Sequence, residues 1–138
     1  MKCLIVMDAV GIGGISSAFL NYVRVLSQRM ECDILVFDDT SVIPSMFPFN
    51  VNMISSCNAL RMLGMNQKKT KSFSKSLAMI RMLCVGLSRC VGGEYVRRYL
   101  LRFAKSVSGY DIAISYIQDV KSKSLARGCN DFVLRNVK

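Results

Sequence analysis

The chain has 138 residues, 51% of them hydrophobic, a mean hydropathy of +0.31 and a formal net charge of +10. That composition excludes a disordered chain, the length suits one domain around one modest core, and no run approaches the ~18 apolar residues of a membrane span. Histidine is absent, which removes the usual general base and leaves any acid–base chemistry to carboxylates.

Residues 2 to 23 organise the rest. From Cys3 to Met7 the run is apolar without alternation, the pattern of a strand covered on both faces in a parallel sheet. Lys2 and this run imitate the start of a secretion signal, but Asp8 ends it short of the ~7–15 apolar residues required, so a cytoplasmic location is expected. Gly11, Gly13 and Gly14 follow, where backbone free of Cβ can approach another group closely. Ile15, Phe19, Tyr22, Val23 and Leu26 then recur on one face of a helix. Strand, glycine turn and helix together aim the helix's unpaired first-turn amides at whatever lies beyond the turn. A phosphate is the natural occupant, and a plain structural turn is the alternative. Ser16 stands where a G-x-G-x-x-G dinucleotide fingerprint needs its third glycine, and no lysine follows as a triphosphate-binding loop requires.

Cys32 to Phe37 reads as a second strand, which would make a right-handed βαβ unit with the first. Asp38 and Asp39, at its end, occupy either an ordinary turn or the place where a Rossmann enzyme holds a ribose. Pro44 and Pro48 mark a loop rich in apolar residues, either tucked against the sheet or part of a binding wall. Val51 to Ile54 suits a short third strand, and Asn58 to Met65 a turn or two of helix ending at Gly64. The pattern predicts a helix over 73–91, with Leu77, Ile80, Cys84, Leu87 and Val91 on one face, and another from Glu94 to about Val107. Gly92 and Gly93 separate the two. Tyr110 to Tyr116 reads as a further strand, and a final helix is expected around Leu125, Phe132, Val133 and Val137.

The charge is unevenly placed. Ten basic residues against the single acid Glu94 lie between Lys68 and Lys105, so this segment carries nine of the ten net positive charges. Lys68, Lys69, Lys71 and Lys75, with Arg98 and Arg102 on the second helix, form either a surface for anionic lipid or a solvated face. No nucleic-acid partner is expected, because aromatic residues do not read as interleaved with the basic ones. The six cysteines contain no C-x-x-C pair and have no histidine to complete a zinc site, so they are expected to be free thiols and no metal site is expected.

Three pieces carry a resemblance: Gly11-Ile12-Gly13-Gly14-Ile15-Ser16, the run Tyr110-Asp111-Ile112-Ala113-Ile114-Ser115-Tyr116, and the tail Phe132-Val133-Leu134-Arg135-Asn136-Val137-Lys138. Together they resemble the N-terminal domain of a GT-B fold retaining glycosyltransferase of the family 4-like group that builds bacterial surface polysaccharides. The resemblance implies an α/β fold with a Rossmann-like parallel sheet flanked by helices, forming one acceptor-side domain over 1–138. It implies a donor-diphosphate and acceptor loop of Gly11, Gly13, Gly14, Ile15 and Ser16, in which Gly13 and Gly14 lie beneath the diphosphate of a nucleotide sugar and the residues after them lie near donor or acceptor, and a glycan or lipid-linked acceptor near Tyr116, Gln118 and Asp119. By the same resemblance no cofactor or divalent metal is needed, and the enzyme sits in the cytoplasm or peripherally on the inner face of the plasma membrane. The family's donor-binding domain, with its Glu-x7-Glu pair, has no counterpart here. The chain is therefore expected to be a truncated enzyme, a fragment or half of a split pair, inactive alone. Two other readings stay open: a nicotinamide- or nucleotide-binding Rossmann domain, supported by Asp38 and Asp39 and weakened by Ser16, and a non-catalytic basic membrane-associated module.

Overall fold

The computed structural model describes residues 1–118 and 124–138. Four strands form one all-parallel sheet in the order β3-β2-β1-β4: β1 (Lys2–Ala9), β2 (Glu31–Asp38), β3 (Val51–Ile54) and β4 (Ile112–Ser115). Cys3 lies level with Cys32 of β2 on one side and Ile112 of β4 on the other. The helices are α1 (Gly14–Leu26), α2 (Asn58–Gly64), α3 (Gln67–Phe73), α4 (Lys75–Val91), α5 (Gly93–Leu101) and α6 (Cys129–Asn136). This is the expected Rossmann-like α/β class, with apolar groups packed on both faces of the sheet.

Side chains of a strand alternate between faces, so β1 and β2 feed two cores. Cys3, Ile5 and Met7, with Ile34 and Val36, pack against Phe19 and Val23 of α1. Leu4, Val6, Leu35 and Phe37 pack on the other side against Leu60 and Leu63 of α2, Leu77 of α4, Val96, Leu100 and Leu101 of α5, and Phe132 of α6. Every β1 residue from Cys3 to Met7 is buried, which is why this run carries no polar alternation. The 42–50 loop is tucked in at two points, with Val42 buried and the Phe47 ring 6.1 Å edge-on to Phe19, while Ile43 and Phe49 face solvent.

Gly64 shows why α2 lies so close to the sheet. A Cβ there would stand 2.6 Å from both the Asp38 amide nitrogen and the Asp8 carbonyl oxygen, and 2.8 Å from Phe37 Cβ. Only a residue without a side chain lets the last turn of α2 rest on the ends of β1 and β2.

Several elements depart from the sequence pattern. Lys68 to Lys71 belong to a separate helix, α3, whose start is capped by the Asn66 side chain accepting from the Lys69 amide at 2.8 Å. The core-facing side of α4 is Leu77, Ala78, Arg81 and Ser88, whereas Ile80, Leu87 and Val91 are exposed. Arg81 is tolerated inside because its Nε donates to the Met62 carbonyl and its Nη1 to Gln67 Oε1, both at 3.0 Å. α5 stops at Leu101 instead of near Val107, because Asn136 Nδ2 donates to the carbonyls of Leu101 and Ala104, each at 3.1 Å. Val107 then pairs in parallel with Val137. Leu125 is buried but precedes α6, and β4 is confined to Ile112–Ser115, with Tyr110 outside it donating its hydroxyl to Asp33 at 2.6 Å.

Candidate functional site

The order β3-β2-β1-β4 places successive strands outward from β1 on one side and returns β4 to its other side. In open parallel sheets the crevice at the carboxyl ends of two strands that diverge in this way is where ligands bind. Here those strands are β1 and β4, and the glycine turn leaves from the end of β1.

Gly13 sits at φ 155°, ψ 169°, a conformation essentially closed to residues with a side chain. The turn is braced from inside: buried Ser16 accepts the Gly11 amide on Oγ at 2.9 Å, and the Gly13 carbonyl accepts both the Ser17 amide at 3.0 Å and the Ser17 hydroxyl at 3.2 Å. Among the described residues the amides of Gly13, Gly14 and Ile15 donate to no protein acceptor. A Cβ built on Gly11, Gly13 or Gly14 would meet nothing within 4 Å, so space above the turn is open. Ile15, expected on the core face of the helix, is 64% exposed and stands beside that space, while Phe19 and Val23 carry the buried stripe with Leu20 and Leu26 half-buried beside them. α1 has no acidic residue in its first turn and no side-chain cap, so its positive end is uncompensated.

Arg127 is a residue that sequence reasoning missed. It holds φ at +75°, the one non-glycine positive φ among the described residues, immediately before Gly128 and α6. Its guanidinium reaches the end of β1, with Nε 4.0 Å from Asp8 Oδ2 and Nη1 donating to the Gln118 carbonyl at 3.2 Å. Its side chain is about two-fifths exposed there, beside the Asp8 carboxylate. The single sequence signal for it is the Arg127-Gly128 pair preceding a helix.

No known family model, curated protein or solved structure matches this sequence. Function therefore has to be read from the site itself.

The expected site residues divide. Gly11, Gly13, Gly14 and Ile15 gather at the open turn, and Ser16 lies beneath it as a strut. Tyr116 turns its ring onto α1, 5.0 Å from Phe19 and 5.7 Å from Tyr22. Gln118 is exposed at the end of β4, and Asp119 lies outside the described residues. Asp38 and Asp39 open a short turn over Asp39–Ser41, in which the Thr40 hydroxyl donates to Asp38 Oδ1 at 2.7 Å, and both carboxylates have further partners. Lys69 Nζ pairs with Asp38 at 2.6 Å, and Arg61 grips Asp39 in a two-pronged bond of 2.8 and 2.9 Å, helped by the Ser56 amide at 3.0 Å. Burial alone would raise the Asp39 pKa, but the bonds from Arg61 and Ser56 outweigh it and hold the carboxyl below its ordinary range.

Of the basic segment, Lys68, Lys71 and Lys75 are exposed, whereas Lys69 is spent on Asp38 and Ser41, and Arg81 and Arg97 are interior. Arg98 pairs with Glu94 and, at 3.3 Å, with Asp131, while Arg102 is exposed. Aromatic residues do stand among these cations: Tyr95 and Tyr99 on α5 and Phe103 just beyond it are exposed, contrary to the sequence expectation. α4 in turn presents Met79, Ile80, Met82, Leu83 and Leu87 to solvent, beside Lys71 and Lys75.

Proposed function

We propose that the glycine turn binds the diphosphate of a nucleotide sugar and that the chain is the acceptor-side lobe of a glycosyltransferase. The observation that carries this reading is the group of unpaired amides at Gly13, Gly14 and Ile15, opening beyond the carboxyl end of β1. Such amides are pre-aimed and need no reorganisation, so they favour negative charge as it builds on a departing diphosphate. With its carboxylates committed to Lys69 and Arg61, the end of β2 supplies no free acid for a ribose, which disfavours the nicotinamide reading. Turnover in this reading needs a facing donor-side lobe, so the chain alone, given UDP- or GDP-sugars and a lipid acceptor, is expected to transfer nothing. The test is calorimetric titration with UDP and with NAD. UDP should bind, Gly14→Val should abolish most of that binding by filling the space above the turn, and tighter NAD binding would reverse the assignment.

A membrane-surface role has its own observation in the exposed apolar side of α4. The groove of about 430 Å³ that Met79 and Met82 share with Lys71 and Lys75 pairs apolar depth with positive charge, which suits an anionic bilayer. Among the described residues no helix is long and apolar enough to cross a membrane, so the proposed attachment is peripheral. Flotation with phosphatidylglycerol vesicles should fall in Met79→Asp and again in Lys71→Gln with Lys75→Gln. Unchanged flotation in both would remove the lipid reading.

A further inference from the structure

A second cationic site lies away from the glycine turn, where the C-terminal ends of α5 and α6 meet. Two adjoining clefts, of about 320 and 330 Å³, share Arg98, Arg102 and Arg135; Lys138 completes the wall of one, and Tyr95 with Tyr99 the wall of the other. Arg98 is neutralised by Glu94 and Asp131. Arg102, Arg135 and Lys138 are exposed and have no carboxylate within 4 Å among the described residues.

Cations commonly gather at helix C-termini because the terminal carbonyls carry partial negative charge. That explanation is weakened here, since the carbonyls of Leu101 and Ala104 at the end of α5 are already taken by Asn136 Nδ2. What remains is three like charges converging on one concave surface, where each raises the cost of the others and an anion would relieve all three. Two guanidinium forks suit the tetrahedral oxygens of a phosphate better than a carboxylate, and the exposed Tyr95 and Tyr99 rings supply an apolar flank for whatever the phosphate is attached to.

We propose that the cleft between α5 and α6 is a binding site for the phosphate group of a phosphate ester, gripped by Arg102, Arg135 and Lys138. The site is independent of the glycine turn. A soluble ester and a lipid headgroup share this chemistry, and the experiment separates them.

The full chain carrying Gly14→Val, which blocks the turn, is titrated at 0.15 M salt with inorganic pyrophosphate and, separately, with vesicles of phosphatidylcholine with or without phosphatidylglycerol. The Nε–H NMR signals of Arg102 and Arg135 report the location. Shifts of both signals with pyrophosphate assign a soluble phosphate, and shifts of both with the anionic vesicles alone assign a headgroup. In either case Arg102→Gln with Arg135→Gln should weaken binding tenfold or more, while Arg29→Gln, an exposed cation elsewhere, should change it less than twofold. The proposal is overturned if neither probe moves the arginine signals, if Arg29→Gln costs as much as the cleft pair, or if a short single-stranded oligonucleotide binds tighter than both probes.

Discussion

Replacing Gly64 by alanine tests how tightly the crevice is built. The added methyl would sit 2.6 Å from the Asp38 amide nitrogen and the Asp8 carbonyl oxygen, both backbone atoms of central strands that cannot swing aside. Alanine favours a helix over glycine by up to ~1 kcal/mol, which works in the opposite direction. Overpacking against a fixed backbone typically costs about 1–3 kcal/mol, and contact on two strands at once puts this site toward the upper end. A net loss of about 1–2 kcal/mol follows, or roughly 3–8 °C in Tm for a domain of this size. Thermal and urea unfolding followed by circular dichroism would measure it. A Gly64→Ala protein as stable as the parent or more so would mean that helix propensity outweighs the contact, and that α2 does not rest on the strand ends as described.

The remaining predictions concern other parts of the same framework. Asp39→Asn removes one charge from a partly buried pair and should cost about 1–3 kcal/mol. Because the folded state holds the Asp39 pKa below its unfolded value, that contribution is present above the ordinary carboxylate range and lost as pH falls through it; acid unfolding of the variant should therefore be less steep than that of the parent. Burial, with Cys32 beside it, pushes the Cys3 thiol up to about 11 from 9.0, so its contribution to stability is complete below pH 9 and lost as pH rises toward 11. At pH 8 a thiol reagent should modify exposed Cys90 long before Cys3, Cys32 or Cys129, as peptide mass mapping would record. Asn136→Ala removes one donor from each of the Leu101 and Ala104 carbonyls, Leu101 keeping the Ala104 amide, and should destabilise by about 1–3 kcal/mol, with hydrogen exchange rising first in the last turn of α5.

What the sequence makes legible is local or continuous. The unbroken run from Cys3 to Met7 reveals a strand buried on both faces, and strand, glycine turn and helix follow from residues adjacent in the chain. The orientation of α4 is not legible, because apolar residues nearly encircle it and periodicity alone cannot choose between Ile80 and Ala78 as the inward side. The inward side carries Arg81 and Ser88, polar residues whose burial depends on Met62, Gln67 and the helix's own Val85 carbonyl. The end of α5 is set by Asn136, 35 residues beyond Leu101, and the partners of Asp38 and Asp39 come from α2 and α3. Arg127 was hidden for the same reason: what marks it is a backbone angle and a reach to Asp8, 119 residues earlier in the chain.

Backbone amide NMR during a UDP titration tests the central claim most directly, because it reports each nitrogen separately. The account predicts that the largest shifts fall on Gly13, Gly14 and Ile15 and that Gly14→Val removes them. Shifts confined to α5 and α6, or no shift at the turn at ligand saturation, would contradict it.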